Sequence, residues 1–160
     1  MSREIKNKNK SLRRPMLIKK ISDKDINLIY KIGLQEFKEK FWFTKKFLKE
    51  TMETPGYYYG AFEKSKLVGT ILVKKLDRPK LWIYFLAVDE NYRGRSIGNK
   101  LLKKIEKHCS KHYPMLFVDT TPHPYKTNRF YLKNGFKKQA KIKDWFGVNQ
   151  EGVIYSKKVI

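Results

Sequence analysis

A turn rich in glycine and arginine has the residue types of an anion-binding site. It reads Arg93-Gly94-Arg95-Ser96-Ile97-Gly98. The first N–H groups of a helix have no partner within the helix and lie at the positive end of its dipole, so they attract an anion placed above the turn. The glycines let the backbone approach such a ligand, and the arginines add charge-assisted hydrogen bonds. A phosphate group is the expected ligand, although the same residues would also serve as a plain strand-to-helix connection.

The elements on either side of this turn follow from hydrophobic periodicity. Residues 81–88 are nearly all apolar, which predicts a central strand covered on both faces. After the turn, apolar residues recur at helical spacing and most lysines fall elsewhere, which predicts a helix packed on the sheet. The apolar stripe of this helix consists of Ile97, Leu101, Leu102, Ile105 and Cys109.

The remaining segments predict one mixed sheet. Strands are expected at 16–20, 57–62, 67–75, 81–88, 115–121, 137–143 and 152–159, and helices after Ser22, at 44–52, from 97 and at 125–134. An antiparallel start followed by strand–helix–strand implies an α/β (α+β) fold, with a mixed central sheet of about seven strands and helices on both faces. Residues 15–160 form a single domain. Residues 1–14 are polar and basic without periodicity, so we expect a flexible arm there.

Composition limits the setting and the partners. At 160 residues with 41% hydrophobic residues, the chain can bury a core. The only cysteine excludes a disulfide framework, and neither a signal peptide nor a membrane span is visible, so we expect a cytoplasmic protein. The net charge of +22 favours polyanionic partners such as nucleic acid, acidic proteins or a phosphate-rich ligand. A solvated coat of lysines is the plainer interpretation of the same charge.

The turn, together with the strand before it, resembles the acyl-CoA signature of the GNAT superfamily of N-acetyltransferases. That signature reads Arg/Gln-x-x-Gly-x-Gly/Ala; this chain keeps Arg93 and Gly98 but has Ser96 at the middle glycine. The resemblance implies acetyl-CoA as cosubstrate, with its pyrophosphate on the turn from Arg93 through Gly94, Arg95, Ser96 and Ile97 to Gly98. It also implies a bulged strand whose backbone at Leu86, Ala87 and Val88 binds the pantetheine arm.

A second motif, Asn128-Arg129-Phe130-Tyr131-Leu132-Lys133-Asn134-Gly135-Phe136, is similar to the family's helix ending in Phe-Tyr-x-x-x-Gly-Phe. The similarity implies that Tyr131 is the general acid for the departing thiolate. A phenol with an ordinary pKa of about 10 keeps its proton at neutral pH. Asn128, one helical turn earlier, would bind the pantetheine amides. Without the first motif, a tyrosine on such a helix would be interpreted as a core residue.

The general base is less clearly marked. Asp119 ends a predicted strand twelve residues before Tyr131, where some family members place an acid beside the acceptor amine. The same aspartate would also cap the turn that follows it. His123 or a water chain is the alternative base. The histidine pair His108 and His112 with Cys109 lacks a spaced third ligand, so no metal site is predicted.

Two functions are compatible with these features. The first is acetyl-CoA-dependent transfer of an acetyl group to a primary amine, on a protein, a peptide or a small molecule, by direct nucleophilic attack. The alternative is a basic binding module, associated with nucleic acid or ribosomes, that keeps the fold without catalysis. An enzyme should hold Tyr131 and Asp119 in one cleft, whereas a binding module should gather lysines and exposed aromatic residues on one face. The acceptor amine and the oligomeric state, including a possible dimer, stay open.

Overall fold

The computed structural model describes residues 15–38 and 40–160. The predicted arm at 1–14 and Glu39 lie outside the described residues. The strands are β1 (Met16–Lys20), β2 (Gly56–Glu63), β3 (Lys66–Lys75), β4 (Lys80–Val88), β5 (Met115–Thr120), β6 (Lys137–Gly147) and β7 (Gln150–Lys158). The α-helices are α1 (Ile26–Phe37), α2 (Lys45–Met52), α3 (Ile97–Glu106) and α4 (Tyr125–Lys133).

All seven strands form one mixed sheet in the order β1-β2-β3-β4-β5-β7-β6. Only β4 and β5 run parallel, joined through α3, and the other neighbours are antiparallel. The predicted mixed α+β sheet of about seven strands is therefore confirmed. The order places the carboxyl ends of β4 and β5 side by side, next to the turn that begins α3.

The sheet is covered on both faces because β3 alternates its side chains between two cores. Ile71 and Val73 pack with Leu101 and Ile105 of α3, in a cluster that also contains Tyr131 of α4. Leu72 packs on the opposite face with residues of α1 and α2. The sheet is therefore the middle layer of a three-layer domain, with α3 and α4 on one face and α1 and α2 on the other.

A β-bulge changes the direction of β4 halfway along its length. Leu72 pairs with Phe85 and Val73 with Ile83, so Tyr84 is an extra residue without an opposite partner. Pairing with β5 ends at Ile83, and the two strands part beyond it. The expectation that this strand is covered on both faces is wrong at the bulge, where Tyr84 is 39% exposed.

Several predicted boundaries shift by a few residues. Ser22 caps a short 3-10 turn that leads into α1, and Thr44 caps α2 by accepting from the backbone of Phe47. Helix α3 ends at Glu106, so Cys109 is buried beyond the helix rather than on its stripe. Strand β6 continues through Trp145 to Gly147, past the predicted end at residue 143.

Of the helices in residues 15–38 and 40–160, none is long and apolar enough to cross a bilayer.

Candidate active site

A cleft of about 1100 Å³ opens where β4 and β5 part. Its walls are the bulged half of β4, the turn before α3, the end of β5, the first turns of α4 and the end of α1. Ligand clefts usually have about 300–1,000 Å³ and few polar groups among apolar walls. This cleft therefore has room for a long ligand that lies along the free edge of β4.

The turn before α3 presents unpartnered backbone donors to this cleft. Gly94 has φ +76° and Ser96, the N-cap residue, has φ 59° and ψ 24°, both in the left-handed region. The first helical hydrogen bond of α3 runs from the Lys100 amide to the Ser96 carbonyl, and no side chain caps the helix. The N–H groups of residues 97–99 are thus left for an anion.

The two arginines of the turn have different surroundings. Arg93 donates to Glu36 Oε1 at 2.6 Å and to the Val88 carbonyl at 3.3 Å, which ties the end of α1 to the turn. Arg95 lies over the Tyr92 ring, 4.8 Å from its centroid, and its side chain is 47% exposed. Arg95 also forms a long ion pair with Glu63 at 3.9 Å and, unlike Arg93, is not one of the described residues that line the cleft. Arg93 is therefore the arginine at the cleft, where its ion pair with Glu36 holds it in place.

The bulged half of β4 gives the cleft a free strand edge. Leu86, Ala87 and Val88 pair with β3 on one side. Within the described part of the chain, no strand pairs with them on the other side, where the cleft lies. Backbone groups on this edge can bind an extended ligand as a strand would.

Tyr131 lies at the floor of the cleft and is 4% exposed. Burial and the nearby charge of Asp119 raise its pKa well above its ordinary value of 10.0. Among the described residues its hydroxyl has no hydrogen-bond partner. The structure therefore keeps a protonated, uncommitted phenol at the cleft.

Asp119, at the end of β5, lines the same cleft. Its Oδ1 accepts from Trp82 Nε1 at 2.7 Å, and its Oδ2 accepts from Trp145 Nε1 at 2.8 Å. These two tryptophans were not predicted from the sequence as partners of Asp119. The available signal was Gly152, an isolated glycine in a predicted strand, which often marks the close approach of another group.

Asn128 is buried, and both Nδ2 and Oδ1 of its side chain form hydrogen bonds with other protein groups. Nδ2 donates to the carbonyls of Thr121 and Pro122, at 3.0 and 3.2 Å, and Oδ1 accepts from the Tyr155 hydroxyl. In this structure Asn128 fixes the loop between β5 and α4. Its contact with pantetheine stays a prediction. His123, on the same loop, also lines the cleft.

The histidine and cysteine residues after α3 lie among aromatic and core residues. His108 Nε2 is 2.7 Å from the Tyr59 hydroxyl, and its ring stacks on Tyr57 with centroids 3.9 Å apart. Burial of Cys109 raises the pKa of its thiol to about 11. These groups follow the C-terminal end of α3, whereas the glycine-arginine turn precedes its N-terminal end.

Comparison with known proteins gives a consistent result. The family model described as "Acetyltransferase (GNAT) family" matches residues 26–136. An uncharacterized N-acetyltransferase of Methanocaldococcus jannaschii is 27% identical over 147 residues, which span 89% of this chain and 92% of the relative.

Two solved structures share the fold. The ribosomal-protein-S18-alanine N-acetyltransferase of Escherichia coli superposes with a TM-score of 0.79 at 14% identity, over 91% of this chain and 94% of that one. The PaiA N-acetyltransferase of Thermoplasma acidophilum, crystallised with coenzyme A, gives 0.73 at 22% identity, over 90% and 99%.

Proposed function

We propose that this chain, which belongs to the acetyltransferase (GNAT) family, transfers the acetyl group of acetyl-CoA to a primary amine by direct attack of the amine on the thioester. Acetyl-CoA is the cosubstrate of this family. The observation that carries the proposal is that Asp119 and Tyr131 line the same cleft as the free N-terminus of α3. That arrangement supplies an anion site, a carboxylate and a protonated phenol in one place.

The residues present fit acetyl-CoA. The unpartnered N–H groups at the start of α3 suit a pyrophosphate, and an added Cβ at Gly94 would have no atom within 4 Å. Arg95, which is 47% exposed and 3.9 Å from Glu63, would add a second contact by turning its side chain towards the cleft. The free edge of β4 at 86–88 suits the amides of the pantetheine arm.

Acetyl-CoA supplies an acetyl thioester, and the side chains of the cleft handle the protons. The amine nitrogen must lose a proton before its lone pair can form the new C–N bond, and the Asp119 carboxylate, directly or through water, is the proposed acceptor. When the C–S bond breaks, Tyr131 gives its proton to the thiolate, and the second proton that the nitrogen loses as the amide forms restores the phenol. The raised pKa of Tyr131 keeps that proton in place until the thiolate forms. His123 is the alternative base.

The basic surface is the feature that supports the alternative function, a binding module without catalysis. Strand β6 lies at the edge of the sheet and carries exposed Lys137, Lys138 and Lys143. A module without catalysis has no need for a buried phenol with a free hydroxyl beside a carboxylate. The pairing of Tyr131 with Asp119 therefore supports the enzyme over the module, and weak association with polyanions can accompany either.

The acceptor class stays a proposal that includes proteins, peptides and small molecules. Release of CoA should be screened with acetyl-CoA and a panel of amines, peptides and aminoglycosides, with Tyr131→Phe as the matched low-activity variant. We expect at least one amine to release CoA in the wild type. Binding of CoA without release for any acceptor class would instead support the binding module.

A further inference from the structure

Both oxygens of Asp119 are held by indole N–H groups that come from opposite sides. Trp82 on β4 reaches Oδ1 at 2.7 Å, and Trp145 on β6 reaches Oδ2 at 2.8 Å. Hydrogen bonds to a charged acceptor are shorter and stronger than those between neutral groups. Two donors from opposite sides therefore define the orientation of this carboxylate.

The placement of Trp82 follows from the parallel register of β4 and β5. Trp82 pairs with Phe117, and the two rings stack with centroids 5.6 Å apart and an interplanar angle of 14°. Asp119 lies two residues beyond Phe117 and therefore on the same face of β5. The stacked indole directs its N–H along that face towards Asp119.

The placement of Trp145 depends on a glycine. Strand β7 separates β6 from β5, so the indole must cross β7 to reach Asp119. It crosses at Gly152, where an added Cβ would lie 2.3 Å from Trp145 Cδ1 and 2.5 Å from Cγ. Any larger residue at this position would displace the ring. The crossing follows an irregular part of β6 at Asp144, which has φ 56°.

Asp119 forms no ion pair within the described residues, although Lys40, Arg93 and Lys126 line the same cleft. The cleft is lined by two carboxylates, Glu36 and Asp119. Glu36 forms an ion pair with Arg93 at 2.6 Å. Within residues 15–38 and 40–160, no cationic side chain forms an ion pair with Asp119, whose partners are neutral indoles. Each carboxylate oxygen also keeps a further lone pair for another donor.

We propose that Trp82, Trp145 and Gly152 are positioning residues, which hold the Asp119 carboxylate facing the cleft so that the acceptor amine binds there as its ammonium ion. This proposal rests on the proposed function and adds that the substrate amine enters the cleft as its ammonium ion. The ammonium supplies the missing positive partner, and its proton then leaves through Asp119.

The hydrogen bonds can be tested without any activity. The chain has three tryptophans, so a ¹⁵N–¹H spectrum should show three indole signals. We expect Asp119→Asn to shift the signals of Trp82 and Trp145 and to leave that of Trp42, whose Nε1 has no partner. Gly152→Ala should shift the Trp145 signal. An unchanged pair of signals in Asp119→Asn would overturn the positioning role, whatever the enzyme acetylates.

Kinetics test the consequence for the acceptor. Trp82→Phe and Trp145→Phe each keep a ring and remove one N–H, and we expect kcat/KM for the amine to fall on the order of tenfold to a hundredfold. The dissociation constant of CoA should stay within about twofold of wild type. Gly152→Ala should lower kcat/KM for the amine by about the same factor as Trp145→Phe.

A double-mutant cycle separates positioning from general packing. In the Asp119→Asn background the tryptophan substitutions should lower kcat/KM little further, because the carboxylate that the indoles orient is gone. Trp42→Phe is the matched control, and its effect should be the same in both backgrounds. Additive losses for Trp82 and Trp145 would overturn the proposal and leave them as packing residues.

Discussion

The hydroxyl of Tyr155 donates to Asn128 Oδ1 at 2.7 Å, which joins β7 to α4 directly behind Tyr131. Both side chains are buried. Tyr155→Phe would leave Oδ1 without a donor, and a buried unsatisfied acceptor costs about 1–3 kcal/mol. We expect the free energy of unfolding in urea to fall by that amount.

The control for this loss is Tyr113→Phe, because the Tyr113 hydroxyl has no hydrogen-bond partner among the residues that the structure describes. Its free energy of unfolding should stay within about 0.5 kcal/mol of wild type. Equal losses in the two variants would contradict a specific role for the bond between Tyr155 and Asn128.

Tyr131→Phe should lower kcat by about 10²–10⁴-fold, the usual contribution of general acid catalysis. The ring still packs between Phe130 and Phe136, and only the proton donor is lost. Calorimetric titration should therefore give a CoA dissociation constant close to that of wild type. Unchanged turnover would mean that Tyr131 is a core residue only.

Ser96→Gly should stabilise the protein by about 1 kcal/mol, because Ser96 occupies the left-handed region at φ 59° and a Cβ there is strained. Without the Cβ, the backbone N–H groups can also approach a pyrophosphate more closely. We expect a higher melting temperature and a lower CoA dissociation constant.

Ser96→Ala keeps the Cβ and serves as the control. Since the Ser96 side chain makes no capping hydrogen bond, alanine should change the melting temperature little. A gain in Ser96→Ala equal to that in Ser96→Gly would mean that the hydroxyl, and not the backbone conformation, is responsible.

The fold was predictable where periodicity decides the structure. Strand β1 was predicted with its observed bounds. The helices predicted at 44–52 and 125–134 each differ from the observed helix by one residue, because the capping residues and the apolar spacing that define them are local in sequence. Ser96 was identified from the sequence as a departure from the glycine of the motif, but its left-handed conformation was not predicted. Asp119 and Tyr131 were predicted from the resemblance, and whether they catalyse stays a prediction.

The surroundings of Asp119 were not predictable in the same way. Trp145 is 26 residues away in sequence, and it reaches Asp119 only because β7 lies between β5 and β6 and has a glycine at the crossing. Strand order and register, neither of which is local, decide that contact. The hydrogen bond between Asn128 and Tyr155, which are 27 residues apart, is non-local for the same reason.

The stability of the protein should depend on His108 at mildly acidic pH. Burial, with Lys104, Lys20 and Lys75 nearby, lowers the pKa of His108 from its ordinary value of 6.5. The unfolded chain therefore takes up this proton first as the pH falls below about 6.5. The stability contribution of neutral His108 is present above that pH and is lost as the pH falls towards the folded pKa.

Urea unfolding at pH 7.5, 6.5 and 5.5 measures this effect. His108→Gln keeps an acceptor for the Tyr59 hydroxyl and does not titrate. We expect the wild type to lose more stability than the variant between pH 7.5 and 5.5. Parallel pH dependences in the two proteins would contradict a role for His108.

The net charge of +22 should steer the enzyme towards amines carried on acidic macromolecules. An acidic mouth formed by α1 and α2 would oppose this steering within about 8 Å, the Debye length at physiological salt. The structure instead pairs the described glutamates there with cations: Glu36 with Arg93, Glu50 with Lys46 and Glu53 with Lys49.

Steering can be measured with two peptide acceptors that share their first residues and differ in the charge of the segment that follows. For the acidic peptide we expect kcat/KM to fall by roughly tenfold or more as ionic strength rises from low to molar values, because screening weakens the encounter. For the basic peptide kcat/KM should rise. Salt-independent rates for both peptides would leave the lysines as a solvated coat, while the carboxylate of Asp119 would still bind the ammonium group locally.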